Sequence, residues 1–218
     1  MTITAIGSRE PLGPCTWEDA AAAAMVKIFE KVDNTLRYST ESMFFDDSLE
    51  LIKIQFEGMF MNAKCLNSDN MYWAEEWRIL GAISAAAGLK NSVFSSTTRP
   101  VPGTEISGKF HKFASGYIYP EFAGDPETSK IMKNLCVQIL AILCRKQNDY
   151  GHENIARFGR DGILVRTHDK IARLNNLLTR GGVPQNETIE DTYVDIVGYS
   201  AIGIMVERGW FDLQLSNY

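Results

Sequence analysis

Between Thr192 and Val206 the chain carries one charged side chain, Asp195, and is otherwise uncharged on every side of a helical wheel. A helix that is apolar nearly all round is usually buried, so this segment is expected in the interior. It takes a carboxylate there with it. An unpaired buried carboxylate costs several kcal/mol, so Asp195 demands a counter-ion. Hard oxygen ligands suit magnesium or manganese, and a divalent ion is the leading expectation, with a plain salt bridge as the other.

Helical pattern extends over most of the chain. Thr16 reads as the cap of a helix to about Val32, with Glu18 and Asp19 in its first turn and a strongly helix-forming run at Ala20–Ala24. Asp46 or Asp47 could cap a second helix carrying Ile52, Phe56 and Met59. A third runs from Ser68 or Asp69 to Gly88, which is placed for a left-handed C-cap. Further helices are expected from Ser129 to near Lys146, stopped by Gly151, from Asp161 to Arg180, stopped by Gly181-Gly182, and from an Asn186 cap to about Arg208. Strand signals are too weak to build a sheet, so the fold class is all-α. Residues 89–127 interrupt the pattern with proline and glycine yet crowd Phe110, Phe113, Tyr117, Tyr119 and Phe122, which reads as a long, ordered, aromatic-rich loop. The chain divides into an N-terminal helical region, 1–128, of unassigned role and a helical domain, 129–218.

Several classes are excluded. The longest apolar run, around Leu135–Cys144, is too short to cross a bilayer. The net charge of −5 argues against general affinity for nucleic acid. Residues 1–14 lack the apolar stretch of a secretory signal. The four cysteines show no C-x-x-C spacing, which argues against zinc and for a reducing, cytoplasmic setting. Gly103–Lys109 matches G-x-x-x-x-G-K, but Phe110 stands where a phosphate loop needs Ser or Thr.

The residues that could carry chemistry lie toward the C-terminus. Glu187, Asp191 and Asp195 are spaced i, i+4, i+8, along one stripe of the last helix. Arg166, Asp169, Lys170 and Arg173 share one face of the helix before it. Arginine forks and lysine point charges in such a stripe can grip a polyphosphate. The short 181–185 connection makes the two helices antiparallel neighbours. The segment from Lys146 to Glu153 adds Asp149, Tyr150 and His152. A purely structural alternative has Arg166, Lys170 and Arg173 paired with Asp191 and Asp195 across the bundle.

Taken in order, Lys146-Gln147-Asn148-Asp149-Tyr150-Gly151, Phe158-Gly159-Arg160-Asp161-Gly162-Ile163, Arg166-Thr167-His168-Asp169-Lys170 and Asn186-Glu187-Thr188-Ile189-Glu190-Asp191-Thr192-Tyr193-Val194-Asp195 resemble the phage and bacterial nucleotide-modification-associated domain. That domain in turn resembles the MazG-like all-α nucleoside triphosphate pyrophosphohydrolases. The likeness covers roughly Ser129 to Arg208. It implies a helical bundle, a homo-oligomer, and a magnesium- or manganese-dependent hydrolase of bacteriophage type, acting in the host cytoplasm. The reaction would convert a nucleoside triphosphate to a monophosphate and pyrophosphate, with no membrane or direct nucleic-acid partner. In that scheme Asp191, Asp195, Asp169 and Asp149 hold the metal and Glu187 or Glu153 orients the attacking water. Lys146, Arg166, Lys170 and Arg173 bind the phosphates, and Tyr150 stacks on the base. The first acidic helix of the MazG-like pattern is not evident, which makes a non-catalytic nucleotide- or protein-binding helical module the alternative.

Overall fold

The computed structural model describes residues 13–38, 48–64, 69–94, 126–181 and 183–215. Among these the chain is helical with no strand. Its helices are α1 (Trp17–Tyr38), α2 (Ser48–Lys64), α3 (Asn70–Lys90), α4 (Pro126–Tyr150), the single turn α5 (Glu153–Ala156), α6 (Gly159–Arg180) and α7 (Ile189–Glu207). The all-α expectation holds, and no described helix is long and apolar enough to cross a membrane. Most of the aromatic-rich 89–127 stretch, including the G-x-x-x-x-G-K run, falls outside the described residues.

The centre of the bundle is α7, which packs against α1, α3, α4 and α6. Four neighbours leave it no solvent face, and that is why its sequence is apolar all round. Tyr193, Ile196, Val197 and Ile204 are buried to 1% exposure or less. Its closest partner is α3, and small residues set the approach. A Cβ on Gly81 would meet Ser200 Cβ at 3.0 Å, and one on Gly203 would lie within 2.6 Å of three ring atoms of buried Trp77. One hydrophobic core takes residues from both sides of position 128, from Met25 and Trp77 to Leu140 and Met205.

Two helix ends differ from expectation for identifiable reasons. Helix α3 runs past Gly88 to Lys90, and the positive φ falls at Ser92 (52°). Gly88 is needed for space instead: a Cβ there would sit within 3.0 Å of three ring atoms of Phe94, which folds back over the helix end. Helix α7 is capped by Thr188 rather than Asn186. Thr188 Oγ1 accepts from the Asp191 backbone N–H at 3.1 Å, while Asp191 Oδ2 accepts from the Thr188 N–H at 2.8 Å. This reciprocal box satisfies two donors at the helix start. Gly151 (φ 65°) and Gly181 (φ 62°) do adopt the left-handed conformation expected of helix stops.

Candidate functional site: a cationic, aromatic-lined cleft

Asp195 has its counter-ion, and the counter-ion is protein. Its side chain is 13% exposed and lies between two ammonium groups, with Oδ1 at 3.0 Å from Lys146 Nζ and Oδ2 at 2.7 Å from Lys170 Nζ. Lys170 Nζ also reaches Glu187 Oε2 at 3.0 Å. Arg173 Nη1 also lies 3.9 Å from Glu187 Oε2, so two carboxylates face three cations and no negative charge is left uncompensated. A divalent ion added to it would be uncompensated unless a lysine withdrew. The described carboxylates in this pairing therefore do not fit a magnesium centre.

The other expected carboxylates lie apart from this cluster. Asp191 closes the cap of its own helix, accepting additionally from Thr188 Oγ1 at 2.7 Å. Asp149, Glu153 and Asp169 are exposed. Among the described residues no three His, Cys, Asp or Glu side chains converge closely enough to hold an ion. Of the three stripe carboxylates, Glu187 precedes the helix and meets Asp195 at the Lys170 ammonium, whereas Asp191 turns back to the Thr188 backbone N–H.

The expected phosphate ligands separate into two groups. Arg173 donates to the Glu187 and Thr188 carbonyls and to Thr192 Oγ1, which ties α6 to the first turn of α7. Lys170 is held by Asp195 and Glu187. Burial alone would lower the Lys170 pKa, but hydrogen bonds and attraction from Asp195 and Glu187 outweigh it and leave the ammonium above its ordinary 10.5. The stabilisation it brings is full below pH 10.5 and is lost as pH rises through the folded-state value. Lys170→Met removes it at every pH. Chemical denaturation across the alkaline range should show wild type and variant converging in stability above 10.5. A constant gap would deny Lys170 this role.

Lys146, while also holding Asp195 Oδ1 at 3.0 Å, lines an open cleft together with Arg166. Its volume is about 260 Å³, and its walls include Trp17, Gln147, Tyr150, Asn154, Tyr199 and Phe211. Lys146, Gln147 and Tyr150 come from the end of α4, with Tyr150 about one turn after the other two. Arg166 reaches in from α6 and is steadied by Asn154, whose Oδ1 accepts from Nη2 at 2.7 Å. The described lining contains two cations and no carboxylate. Tyr150 stands at the mouth, 65% exposed.

The inner wall comes from residues distant in sequence. Trp17 opens α1, and its backbone N–H donates to the Gln214 carbonyl at 2.9 Å. Its indole packs edge-on to Phe211, with ring centroids 6.1 Å apart. His152 Nε2 donates to the Leu213 carbonyl at 2.9 Å, so the C-terminal turn is pinned across the end of α4. Two side-chain donors sealed behind this wall, Trp17 Nε1 and Gln147 Nε2, have no hydrogen-bond partner among the described residues. Each such donor costs about 1–3 kcal/mol. Sequence reasoning missed both: Trp17 drew no attention, and Gln147 fell within the segment ending at the Gly151 stop. Only an unexpected polar position on the buried face of α4 could have drawn attention to Gln147.

No protein-family model, curated protein or solved structure matches the chain.

Proposed function

We propose that this protein is a nucleotide-binding helical domain, with the ring of the ligand between the aromatic walls of the cleft and its phosphates at Lys146 and Arg166. The observation that carries this reading is the composition of the cleft: two cations, four aromatic side chains and no described carboxylate, within about 260 Å³. That volume lies just under the range of about 300–1,000 Å³ usual for ligand pockets. It suits a ring inside with charged groups at the mouth. Arginine matches phosphate with forked hydrogen bonds, and lysine adds a point charge. Aromatic faces stack on any base. The resemblance of roughly Ser129 to Arg208 to the nucleotide-modification-associated domain would imply the same ligand class.

Magnesium-dependent pyrophosphohydrolysis, which the MazG-like likeness implies, is the competing reading of the same region. It requires Lys170 to leave Asp195 and Glu187, so binding without turnover is the simpler consequence of the pairing observed. Thermal denaturation with nucleoside mono-, di- and triphosphates in EDTA tests the binding reading. Ligand at 100 times its dissociation constant stabilises by about 2.7 kcal/mol, a readable shift in midpoint. The expected result is a rise with triphosphate that persists without metal, and no pyrophosphate release when magnesium is added. No shift with any nucleotide rejects the reading. Pyrophosphate release that Asp195→Asn abolishes would establish the hydrolase instead.

A further inference from the structure

The ion cluster at Asp195 holds one cation more than its carboxylates need. Asp195 and Glu187 face Lys146, Lys170 and Arg173. Two of the three cations are committed to the bundle. Lys170 Nζ lies 2.7 Å from Asp195 Oδ2 and 3.0 Å from Glu187 Oε2, and Arg173 also donates to the Glu187 and Thr188 carbonyls. Lys146 differs from both. Its side chain is 49% exposed, against 19% for Lys170, and it alone of the three lines the cleft. Withdrawing the Lys146 ammonium would leave Asp195 paired with Lys170, and Glu187 beside Lys170 and Arg173. Two carboxylates would then face two cations, and no charge would be stranded.

We propose that Lys146 is a shared cation, held by Asp195 in the unliganded protein and passed to the ligand's phosphate on binding, while Lys170 stays behind to neutralise Asp195. This rests on the nucleotide-binding reading above and adds the regulation of that site to it. Asp195 and Lys170 are positioning residues: they set the affinity of the cleft through Lys146. The signs follow from the pairing. Asp195 competes with the phosphate for Lys146, so removing its charge strengthens binding. Lys170 is the cation left at Asp195, so removing it strands a largely buried carboxylate whenever Lys146 leaves, and binding weakens. Once the Asp195 charge is gone, losing Lys170 strands nothing there.

Calorimetric titration of the full chain with ATP and with inorganic tripolyphosphate, in EDTA, tests the transfer. Asp195→Asn, which keeps the size of the side chain, should bind both probes about fivefold more tightly, the top of the range for a half-exposed ion pair. Asp149→Asn removes an exposed charge three residues along α4 from Lys146, and should change affinity by less than about twofold. Lys170→Met should weaken binding at least about tenfold. The double variant Asp195→Asn/Lys170→Met should bind like Asp195→Asn alone. Circular dichroism verifies that each variant retains its helices, and the two asparagine variants decide the matter between them if Lys170→Met does not fold. Unchanged affinity in Asp195→Asn, a gain matched by Asp149→Asn, or an equal loss from Lys170→Met with and without the Asp195 charge overturns the transfer while leaving nucleotide binding in place. Failure of both probes to bind either wild type or Asp195→Asn overturns the parent reading and this one with it.

Discussion

Replacing Arg160 by methionine should destabilise the protein by about 3–5 kcal/mol, the usual cost of stranding one member of a buried ion pair. Arg160 donates from Nε to Glu207 Oε1 and from Nη2 to Glu207 Oε2, both at 2.6 Å. The guanidinium also lies over the Trp73 ring, 4.4 Å from its centroid. The Glu207 side chain is only 3% exposed, so water cannot replace the lost partner. This one clamp joins the start of α6 to the end of α7 and rests on α3. Since whole domains are stable by about 5–15 kcal/mol, the loss is a large fraction of the total. Urea unfolding should show it as a lower midpoint at an unchanged slope. Substituting Glu207 by methionine as well should recover much of it, because a well-packed apolar pair often equals a buried ion pair. A single-variant cost below about 1 kcal/mol would mean the clamp contributes little.

The second large effect is steric. Alanine at Gly203 would place its methyl within 2.6 Å of three atoms of the Trp77 ring, which is fully buried and has no flexible end to move aside. Overpacking of this kind costs about 1–3 kcal/mol. Alanine gains about 1 kcal/mol over glycine in a helix interior. With a rigid indole as the neighbour the clash falls at the top of its range, so a net loss of about 2 kcal/mol is expected from the difference of the two terms. Gly58 in α2 is the control: a Cβ there meets nothing within 4 Å. Gly58→Ala should therefore stabilise, by about 0.5–1 kcal/mol. Thermal midpoints moving in opposite directions for the two substitutions would establish that α3 and α7 meet through Gly203. Equal shifts would contradict it.

The architecture was legible where one dominant physical effect decides an outcome. The uncharged run around Asp195 marked a buried helix, because a helix without a polar face belongs in an interior; that it is the central one shows only in its packing against four others. Gly151 and Gly181 announced helix stops because their neighbours offer no other explanation for glycine. Gly88 misled for the same reason in reverse. Its spacing suits a left-handed cap, and only the Phe94 ring folded onto it shows that it provides space. Thr188 and Asn186 are both competent caps, and what selects Thr188 is Asp191 three residues on.

The site was half legible. The apolar surroundings of Asp195 correctly demanded a counter-charge but could not identify its chemistry. Lys146 lies 49 residues away and Lys170 lies 25 away, and only the packing of α4 and α6 on α7 brings their ammoniums to one carboxylate. Lys146, Tyr150 and Arg166 were recognisable as candidates for holding a nucleotide. Trp17 and Phe211 were not, because the wall they share forms when the two ends of the chain's helical body meet.

Nucleotide binding requires that wall and those two cations to form one site. Calorimetric titration of a nucleoside triphosphate in EDTA, with wild type and with a Lys146→Ala/Arg166→Ala double variant whose helical content is checked, puts it to the test. Saturable binding to wild type, weakened at least about tenfold in the double variant and falling with added salt, is the predicted result. No measurable binding, or equal affinity in the two proteins, would contradict it.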